Sequence, residues 1–444
     1  MNKQLNKNRY NVSHETLYQS FKVALLAAVI LPVFSPSLRA IEPVAGLTTD
    51  NYILIDKDSQ MILAGEHYNE VMGIASVTKL MSYYVYMDKI AADNIDVDSA
   101  IVPVSDEIVD NFAKDAALSG VYFDYNSEYP LNDMFDLMMV YSDNGATKAI
   151  GEFLFGTEED AVKAMNKKAK QLGMTNTTYY NTTGLTMGDY KDAMLEGTTE
   201  DNYNVSTAVD QLLLVESLLE VYPEILDRVG QSYVEFNGYT LPSFNMMLPG
   251  LDYDYPGVVG MKTGSSIEAG YCFVGYYIDP VTKKEYLSVV LDSESTTKRF
   301  NDTTYLYNWI GDTEMQTLMM KDQVMDLRIK GASQSIYKVK TNADYQIPKS
   351  TNYNLERQHF EYNSEYFDEN EKLIKDIPEG EVVGSYIYTI AEDDVEGNQF
   401  QSLTSDANTI KIQVESTSEI KKEGFIGSII TGATNFFVNI FESM

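Results

Sequence analysis

The run Tyr52–Asp56 reads Tyr-Ile-Leu-Ile-Asp, and a second apolar run at 60–64 follows it after three polar residues. Two short apolar runs around a polar turn predict a β-hairpin. Strand-like runs return much later, at 256–261, 271–278 and 286–291. Helical spacing fills the region between, at 76–87, 131–155, 158–172 and 207–219. Strands at both ends with helices between them predict one antiparallel sheet closed by strands distant in sequence, an α+β layered domain.

The composition limits the classes of function. The chain has 444 residues, of which 44% are hydrophobic, which is enough for a folded domain plus a smaller one. Its 66 acidic and 33 basic residues give a formal charge of -33, which repels phosphate backbones. Nucleic acid is therefore excluded as a partner. The acidity indicates a solvated surface, with a saline habitat as the alternative.

The scarcity of cysteine and histidine limits the chemistry. Cys272 is the only cysteine, so no internal disulfide can form, and its thiol is expected to be a small buried group. The histidines are His14, His67 and His359. Such scattered histidines disfavour a Ser-His-Asp triad and a histidine-based zinc site. No metal or other cofactor is expected. If the protein is a hydrolase, its general base is predicted not to be histidine.

Residues 1–40 have the pattern of an export signal. Basic residues precede the apolar run 23–34, and a segment ending in Ala40 follows it. The run has twelve residues, fewer than the ~20 of a spanning helix. Cleavage after Ala40 is therefore predicted, with an uncleaved anchor as the alternative.

The C-terminal segment 424–444 has apolar residues at three- and four-residue spacing, which predicts a helix with one apolar stripe. Lys421 and Lys422 precede it, so the helix suits the headgroup layer of a membrane, and the membrane surface is an expected partner. A helix packed against its own domain is the alternative. The polar segment 402–423 is expected to be a linker.

The region 312–401 differs from the part before it. Its short alternating segments are separated by Pro, Asn and Asp, which predicts a small all-β domain. The predicted organisation is therefore a signal peptide, an α+β domain over 41–311, this β-rich domain, the linker and the terminal helix.

Three short motifs stand in order in the predicted α+β domain. They are Ser76-Val77-Thr78-Lys79, Ser142-Asp143-Asn144 and Lys262-Thr263-Gly264. The first pattern, S-x-x-K, is weak alone because it also begins at Ser295, Ser335 and Ser418. Lys-Thr-Gly occurs once, where ordinary residue usage gives roughly 0.1 occurrences in a chain of this length.

The position of Ser76 singles out the first motif. Ser76 opens a helical run, where the positive end of the helix dipole favours developing negative charge. Lys79 lies three residues on, over the same face, and can reach the Ser76 oxygen. A partly dry lysine near other cations loses its proton readily and can serve as the base for a serine nucleophile. Gly264 ends a predicted strand and permits close approach by an extended peptide.

With these motifs in this order, the chain resembles the low-molecular-mass penicillin-binding proteins, the serine D-alanyl-D-alanine carboxypeptidases of peptidase family S11. The resemblance runs from about Asn51 to the C-terminus and includes 75–80, 260–264 and 268–275. It implies a transpeptidase-like α+β catalytic domain, a small β domain and an amphipathic tail. It also implies an exported enzyme on the periplasmic face of the inner membrane. Such an enzyme removes the terminal D-alanine from peptidoglycan pentapeptide stems and is acylated by β-lactam inhibitors.

The resemblance assigns a role to each motif residue. Ser76 attacks the penultimate D-alanine carbonyl to form an acyl-enzyme, with Lys79 as the base. Backbone N–H groups of Ser76 and Ser265 form the oxyanion hole, and Ser142 relays a proton to the departing D-alanine. The substrate is expected to contact Asn144, Lys262, Thr263, Gly264, Ser265 and Arg299.

The substrate contacts differ in what they are expected to do. Lys262 holds Ser142 and supplies positive potential, and Asn144 binds the peptide amide. Thr263 and Arg299 bind the terminal carboxylate. An ordinary position on the surface of a helix is the alternative for Arg299.

The second motif and the segment after it depart from the family pattern. Asp143 stands where glycine is commoner in the family, and the resulting sequence Ser-Asp-Asn is the form of this motif in β-lactamases. The segment 184–203 is longer and more acidic than the family pattern leads us to expect. A class A β-lactamase is therefore one alternative, but no E-x-x-L-N-like loop occurs between Asn144 and Lys262. A non-catalytic peptidoglycan-binding protein is the other, although every catalytic position has the expected residue type. The sequence leaves open endopeptidase activity, the preferred stem peptide and a homodimer.

Overall fold

The computed structural model describes residues 44–114, 118–349, 354–391, 402–403 and 409–423. All of them lie in Ala40–Met444, one of two units into which the chain divides, the other being Met1–Arg39. The predicted signal peptide and the predicted terminal helix lie outside the described residues. Within the described ranges, no helix is both long enough and apolar enough to cross a membrane.

The strands are numbered in chain order. The earlier ones are β1 Tyr52–Asp56, β2 Met61–Glu66, β3 Met72–Gly73, β4 Ile101–Pro103, β5 Glu128–Pro130, β6 Val205–Ser206, β7 Tyr233–Phe236, β8 Tyr239–Pro242, β9 Val258–Ser266, β10 Gly270–Ile278 and β11 Glu285–Ser293. The later ones are β12 Met315–Met319, β13 Val324–Arg328, β14 Ile336–Thr341, β15 Tyr345–Pro348, β16 Asn354–Tyr362, β17 Val382–Ala391 and β18 Thr409–Ser416.

The helices of the described residues lie between β3 and β12. They are α1 Lys79–Asp93, α2 Asp106–Ile108, α3 Leu131–Met139, α4 Asn144–Phe155, α5 Glu158–Gln171, α6 Ala208–Val221, α7 Ile225–Val229 and α8 Thr296–Asp312. Short 3₁₀ segments occur at Ala75–Thr78 and Met187–Ala193, and a π turn at Val109–Ala113. Side-chain oxygens cap α5, α6 and α8, from Thr157, Thr207 and Ser295. These caps explain why the three helices begin where they do.

The main sheet has five strands in the order β2-β1-β11-β10-β9. Strand β1 pairs antiparallel with β2 on one side and with β11 on the other, where Tyr52 faces Val290. Strands β1 and β11, which are far apart in the sequence, therefore pair within one sheet. The arrangement confirms the predicted α+β fold.

The helices pack on this sheet and on each other. Helix α1 packs against α4 and α5, and α6 and α8 lie against β11. Leu80, Leu137 and Ile150 are among the completely buried side chains. Burying one such side chain stabilises the folded state by roughly 1.5–3 kcal/mol, so this apolar packing fixes the position of α1.

A second five-stranded sheet has the order β13-β14-β18-β17-β16. Its strand β18 pairs with β14 on one side and with β17 on the other. The expectation of a linker over 402–423 is therefore wrong for this strand. Every second residue of β18 is buried, including Ile410, Ile412 and Val414. The polar residues between them hide this alternation when composition alone is considered.

The parts of the chain that carry the two larger sheets touch each other. Strand β15 packs against β2, and Leu403 donates its backbone N–H to the Gln60 carbonyl at 2.8 Å. Helix α8 ends at Asp312. The domain boundary expected between 311 and 312 stays a prediction.

Candidate active site

Ser76 lies in a sharp turn before the long helix α1. The 3₁₀ segment Ala75–Thr78 carries it and continues directly into α1, which begins at Lys79. Ala75 has a φ of +44°, in the left-handed region that a residue with a side chain seldom adopts. The structure therefore places Ser76 at the start of a helix, where the sequence predicts it.

Two glycines let other segments approach this turn. A Cβ added to Gly264 would lie 2.4 Å from the Ile74 carbonyl oxygen and 3.2 Å from the Ser76 nitrogen. A Cβ added to Gly184 would lie 1.9 Å from the Ala75 carbonyl oxygen. Glycine is needed at both positions because a side-chain atom would overlap backbone atoms. Strand β9 can therefore run directly beside the backbone of Ser76.

The amine of Lys79 is completely buried and has three hydrogen-bond partners. Its Nζ lies 2.9 Å from Ser76 Oγ, 2.7 Å from Asn144 Oδ1 and 2.7 Å from the Thr183 carbonyl oxygen. Burial lowers the pKa of Lys79 to about 7, although the carboxylate of Asp143 acts in the opposite direction. The amine can therefore lose its proton near neutral pH, as a general base must.

One hydrogen bond joins the second and third motifs. Lys262 donates from Nζ to Ser142 Oγ at 2.8 Å and to the Thr263 carbonyl at 3.1 Å. Burial, and then repulsion from Lys79 and Arg299, lowers the pKa of Lys262 well below its usual value. Ser142 has a φ of +61° and is 3% exposed, so its hydroxyl is held close to the lysine in a strained turn.

Asp143 and Asn144 tie the second motif to the loop that precedes it. The Asp143 carboxylate caps α4 by accepting from Ala146 N at 2.7 Å, and it accepts from Val121 N at 2.6 Å. Burial raises the pKa of Asp143 to about 6. Asn144 donates from Nδ2 to the Ser119 carbonyl at 3.0 Å, which fixes its Oδ1 as an acceptor. The aspartate that departs from the family pattern therefore has a structural use as a helix cap.

The third motif lies on β9, the last strand in the order of the main sheet. Thr263 is 4% exposed, whereas Ser265 is exposed and pairs with Tyr271 on β10. A strand in this position can offer backbone groups to an extended peptide. The structure thus brings Ser76, Lys79, Ser142, Asn144 and the Lys-Thr-Gly segment together.

Arg299 is buried at 4% exposure, so the alternative of an ordinary surface position is wrong. It extends from α8, and its Nη1 donates to the Gly264 carbonyl at 2.9 Å and to the Cys272 carbonyl at 3.4 Å. Burial lowers the pKa of Arg299 to about 10. Cys272 is buried with a free thiol, as predicted. The guanidinium therefore holds the backbone of the third motif.

The sequence does not predict the buried polar segment around Thr183. The Asn181 side-chain oxygen accepts from the backbone N–H groups of Thr183 and Gly184. The Asn204 side chain donates to Thr78 Oγ1 and to the Asn181 carbonyl. The only signal in the sequence is the turn-like run Asn-Thr-Thr-Gly, which alone does not indicate contact with a lysine.

Solved structures show that the fold is that of the penicillin-binding proteins. A peptidoglycan synthesis regulatory factor (PBP3) from Streptococcus pneumoniae covers 84% of this chain and 100% of its own, with a TM-score of 0.68 and 22% identity. Penicillin-binding protein D2 from Listeria monocytogenes, in a cefotaxime-bound form, covers 60% of this chain and 98% of its own. Its TM-score is 0.51 and its identity is 27%. These likenesses confirm the predicted fold class.

The family model for peptidase family S11, D-alanyl-D-alanine carboxypeptidase, matches residues 39–295, more than half of the chain. The chain therefore belongs to this family of serine peptidases. The D-alanyl-D-alanine carboxypeptidase DacF of Bacillus subtilis (strain 168) is 30% identical over 260 residues. That match covers 56% of this chain and 60% of the relative's length. Family membership favours the predicted carboxypeptidase over the β-lactamase alternative.

Proposed function

We propose that the protein removes the terminal D-alanine from peptidoglycan stem peptides through an acyl-enzyme on Ser76. The observation that carries the proposal is the hydrogen bond of 2.9 Å between the buried Lys79 amine and Ser76 Oγ. Membership of the D-alanyl-D-alanine carboxypeptidase family supports the substrate class.

The hydrogen-bond partners of Lys79 indicate how the pair is used. A neutral amine has two N–H donors and one lone pair. Asn144 Oδ1 and the Thr183 carbonyl can only accept, so they take the two N–H groups. The lone pair is then directed at the hydroxyl of Ser76. This arrangement suits proton transfer from Ser76 to Lys79.

Acylation begins when Lys79 accepts the proton of Ser76 and Oγ attacks the penultimate D-alanine carbonyl. The carbonyl oxygen becomes negative and accepts hydrogen bonds from the backbone N–H groups of Ser76 and Ser265. The approach of β9 to the Ser76 nitrogen, which Gly264 permits, supports this placement. The oxyanion hole would therefore lie between the turn before α1 and the third motif.

Breaking the peptide bond requires a proton for the departing amine. Ser142 gives its hydroxyl proton to the D-alanine nitrogen, and the proton held by Lys79 replaces it. The N–H of Lys262, 2.8 Å from Ser142 Oγ, stabilises that oxygen during the exchange. Water then attacks the ester, the same groups act in reverse, and Ser76 is freed with its proton.

The terminal carboxylate of the substrate is proposed to bind the Thr263 hydroxyl, with Arg299 close behind it. Arg299 supplies a positive charge next to Thr263 because its Nη1 is held by the adjacent Gly264 carbonyl. Among the described residues, no group accepts a hydrogen bond from the buried Arg299 Nε. We propose that the arginine acts mainly through its charge and through the strand that its Nη1 contacts.

A persistent acyl-enzyme would distinguish this function from that of a β-lactamase. Class A β-lactamases use a glutamate to activate the water that removes the acyl group. Glu158 is the buried glutamate nearest in sequence to the second motif, and its oxygens already accept from Lys148, Thr182 and Tyr190. We therefore propose that the acyl-enzyme formed with a penicillin is hydrolysed slowly.

The test is D-alanine release from a peptide that ends in D-alanyl-D-alanine. Ser76→Ala is compared with Ser335→Ala, which changes the exposed serine of another S-x-x-K sequence in the chain. We expect release by the wild type and Ser335→Ala, and a loss of at least about a thousandfold in Ser76→Ala. Release by Ser76→Ala at the wild-type rate would contradict the proposal. A wild type that binds the peptide and releases nothing would favour a binding role.

We further propose that the protein is exported and held at the periplasmic face of the inner membrane by 424–444. The apolar stripe of this segment and the preceding Lys421 and Lys422 support the proposal. Deleting 424–444 is expected to release the mature protein into the soluble fraction with its activity intact. A truncated protein that stays tightly bound to membranes would contradict it.

A further inference from the structure

The acidic segment 184–203 folds back onto the groups around Lys79. Its 3₁₀ segment Met187–Ala193 carries Tyr190, which is completely buried. The ring of Tyr190 packs edge-to-face on Phe112, with 5.0 Å between the ring centroids. The apolar cluster around this contact also includes Met187, Ala193 and Leu195. The segment is therefore held in place by a small core of its own.

The hydroxyl of Tyr190 belongs to a chain of buried polar groups. It donates to Glu158 Oε1 at 2.7 Å and lies 3.0 Å from Thr183 Oγ1. Burial, and then the carboxylate of Glu158, raises the pKa of Tyr190 well above its usual value. The phenol therefore keeps its proton and is fixed as a donor to Glu158.

Three hydrogen bonds converge on one oxygen of Glu158. Oε1 accepts from Thr182 N at 2.9 Å, from Thr182 Oγ1 at 2.6 Å and from the Tyr190 hydroxyl. Oε2 accepts from Lys148 Nζ at 2.9 Å. The side chain of Glu158 is 1% exposed, and a carboxylate so buried is tolerated only when it is paired and hydrogen-bonded. Glu158 therefore holds the backbone at Thr182 firmly.

Lys148 balances the negative charge of this group. Its side chain is 4% exposed, and its Nζ lies within 3.4 Å of the carboxylates of Glu107, Glu152 and Glu158. Burial alone lowers the pKa of Lys148, but Glu158 and Glu152 raise it more, so the net shift is upward. The lysine therefore stays charged beside Glu158.

The polar chain reaches the active site through the backbone. Thr183 follows Thr182 directly, and its carbonyl accepts from Lys79 Nζ at 2.7 Å. The Thr182 carbonyl is held as well, since it accepts from Ser82 Oγ at 2.6 Å. Thr182 is held at its N–H, its hydroxyl and its carbonyl. The carbonyl of Thr183 therefore has little freedom to turn away from the amine of Lys79.

We propose that Tyr190 and Glu158 are positioning residues for acylation. They hold the Thr183 carbonyl, which in turn orients the amine of Lys79. The inference rests on the proposed function, and it gives the acidic segment 184–203 a role through the tyrosine that it carries. A displacement of about 1 Å in a catalytic group can slow a reaction about a hundredfold. Small movements of Thr183 therefore affect the rate although the residues that cause them do not touch the substrate.

The test compares Tyr190→Phe with Tyr307→Phe in the full chain. Tyr307 is the matched control because it is also buried and its hydroxyl also has a hydrogen-bond partner, Ser288 Oγ at 2.9 Å. Acylation is followed at rising penicillin concentrations, which separates the limiting rate constant from the noncovalent dissociation constant. A variant that is only less stable forms less adduct in total, but its active molecules react with an unchanged rate constant.

We expect Tyr190→Phe to lower the limiting rate constant about tenfold and to change the dissociation constant by less than about twofold. Tyr307→Phe is expected to change neither constant. Glu158→Gln keeps the size of the side chain and removes its charge, so it should act in the same direction as Tyr190→Phe. If Tyr190→Phe does not fold, Glu158→Gln is used for the same measurement.

Two results would overturn the inference and leave the proposed function intact. One is a rate constant for Tyr190→Phe equal to that of the wild type, and the other is an equal fall in Tyr307→Phe. A wild-type protein that penicillin never acylates would instead overturn the proposed function, and the inference with it.

Discussion

The amine of Lys79 lies 2.9 Å from the hydroxyl oxygen of Ser76, and the two residues are only three positions apart in the chain. A helical turn between them is what allows the lysine to reach back to the serine. The other partners of the amine, Asn144 and Thr183, come from segments far away in sequence. The reactive pair is therefore a local feature, whereas the burial that makes the lysine a base near neutral pH comes from the tertiary structure.

The acylation rate is expected to follow the fraction of Lys79 that is neutral. Only the neutral amine can accept the Ser76 proton, and burial lowers the pKa of Lys79 from 10.5 to about 7. Raising the pH through about 7 increases the neutral fraction, so the rate should rise and then level off. The rate of acylation by penicillin, measured at pH values below and above about 7, tests this expected profile. A rate that keeps rising until the pH reaches the ordinary value for lysine would contradict the proposed base.

Replacing Asp143 with asparagine is expected to move this pH profile to lower pH. The carboxylate of Asp143 raises the pKa of Lys79, so its loss should lower that pKa further. Asparagine is also a good helix cap, so α4 should remain formed. Asp160→Asn is the control, because Asp160 is exposed and paired with Lys163. A profile that stays in place or moves to higher pH would argue against the electrostatic link.

Gly264→Ala is expected to reduce both stability and acylation. The added Cβ would lie 2.4 Å from the Ile74 carbonyl oxygen, and the movement needed to relieve this overlap costs about 1–3 kcal/mol. Gly311→Ala is the matched control, since a Cβ at that helical position meets no atom within 4 Å. It should raise the free energy of unfolding by up to about 1 kcal/mol. Thermal unfolding and acylation rates are measured for both variants. If Gly264→Ala and Gly311→Ala have the same stability and the same acylation rate, the close approach at Gly264 is contradicted.

Lys262→Met is expected to slow acylation by about a hundredfold, because Ser142 loses the donor that lies 2.8 Å from its oxygen. Lys283→Met provides the control. The amine of Lys283 donates to the Pro280 carbonyl in the exposed turn between β10 and β11. Acylation rate constants should fall only in the first variant. Similar rate constants for Lys262→Met and Lys283→Met would remove the proton relay from the mechanism.

The sequence could predict the groups that form short motifs. Ser76 and Lys79 are recognised because three residues span one helical turn, and Lys262 because Lys-Thr-Gly is rare by chance. The α+β fold could also be predicted, because the apolar runs of β1 and β11 are short, dense and separated by helical patterns. These features depend on residues that are close together in the chain.

The other features of the fold and of the site depend on contacts between residues that are distant in the sequence. Glu158 and Tyr190 are 32 positions apart, and neither belongs to a motif that indicates the other. The burial of Arg299 depends on the packing of α8 against the main sheet, which local spacing does not report. Strand β18 is not evident from composition because its half-buried face is polar, and composition averages the two faces of a strand. Alternation counted residue by residue would have revealed it.

The most direct test of the central claim is the mass of the intact protein after exposure to a penicillin. The wild type and Ser335→Ala are expected to gain the mass of one penicillin, and Ser76→Ala none. Slow loss of the adduct would agree with a carboxypeptidase, and rapid loss would indicate a β-lactamase. If Ser76→Ala is modified as the wild type is, or if no protein is ever modified and the penicillin stays intact, Ser76 is not the nucleophile proposed here.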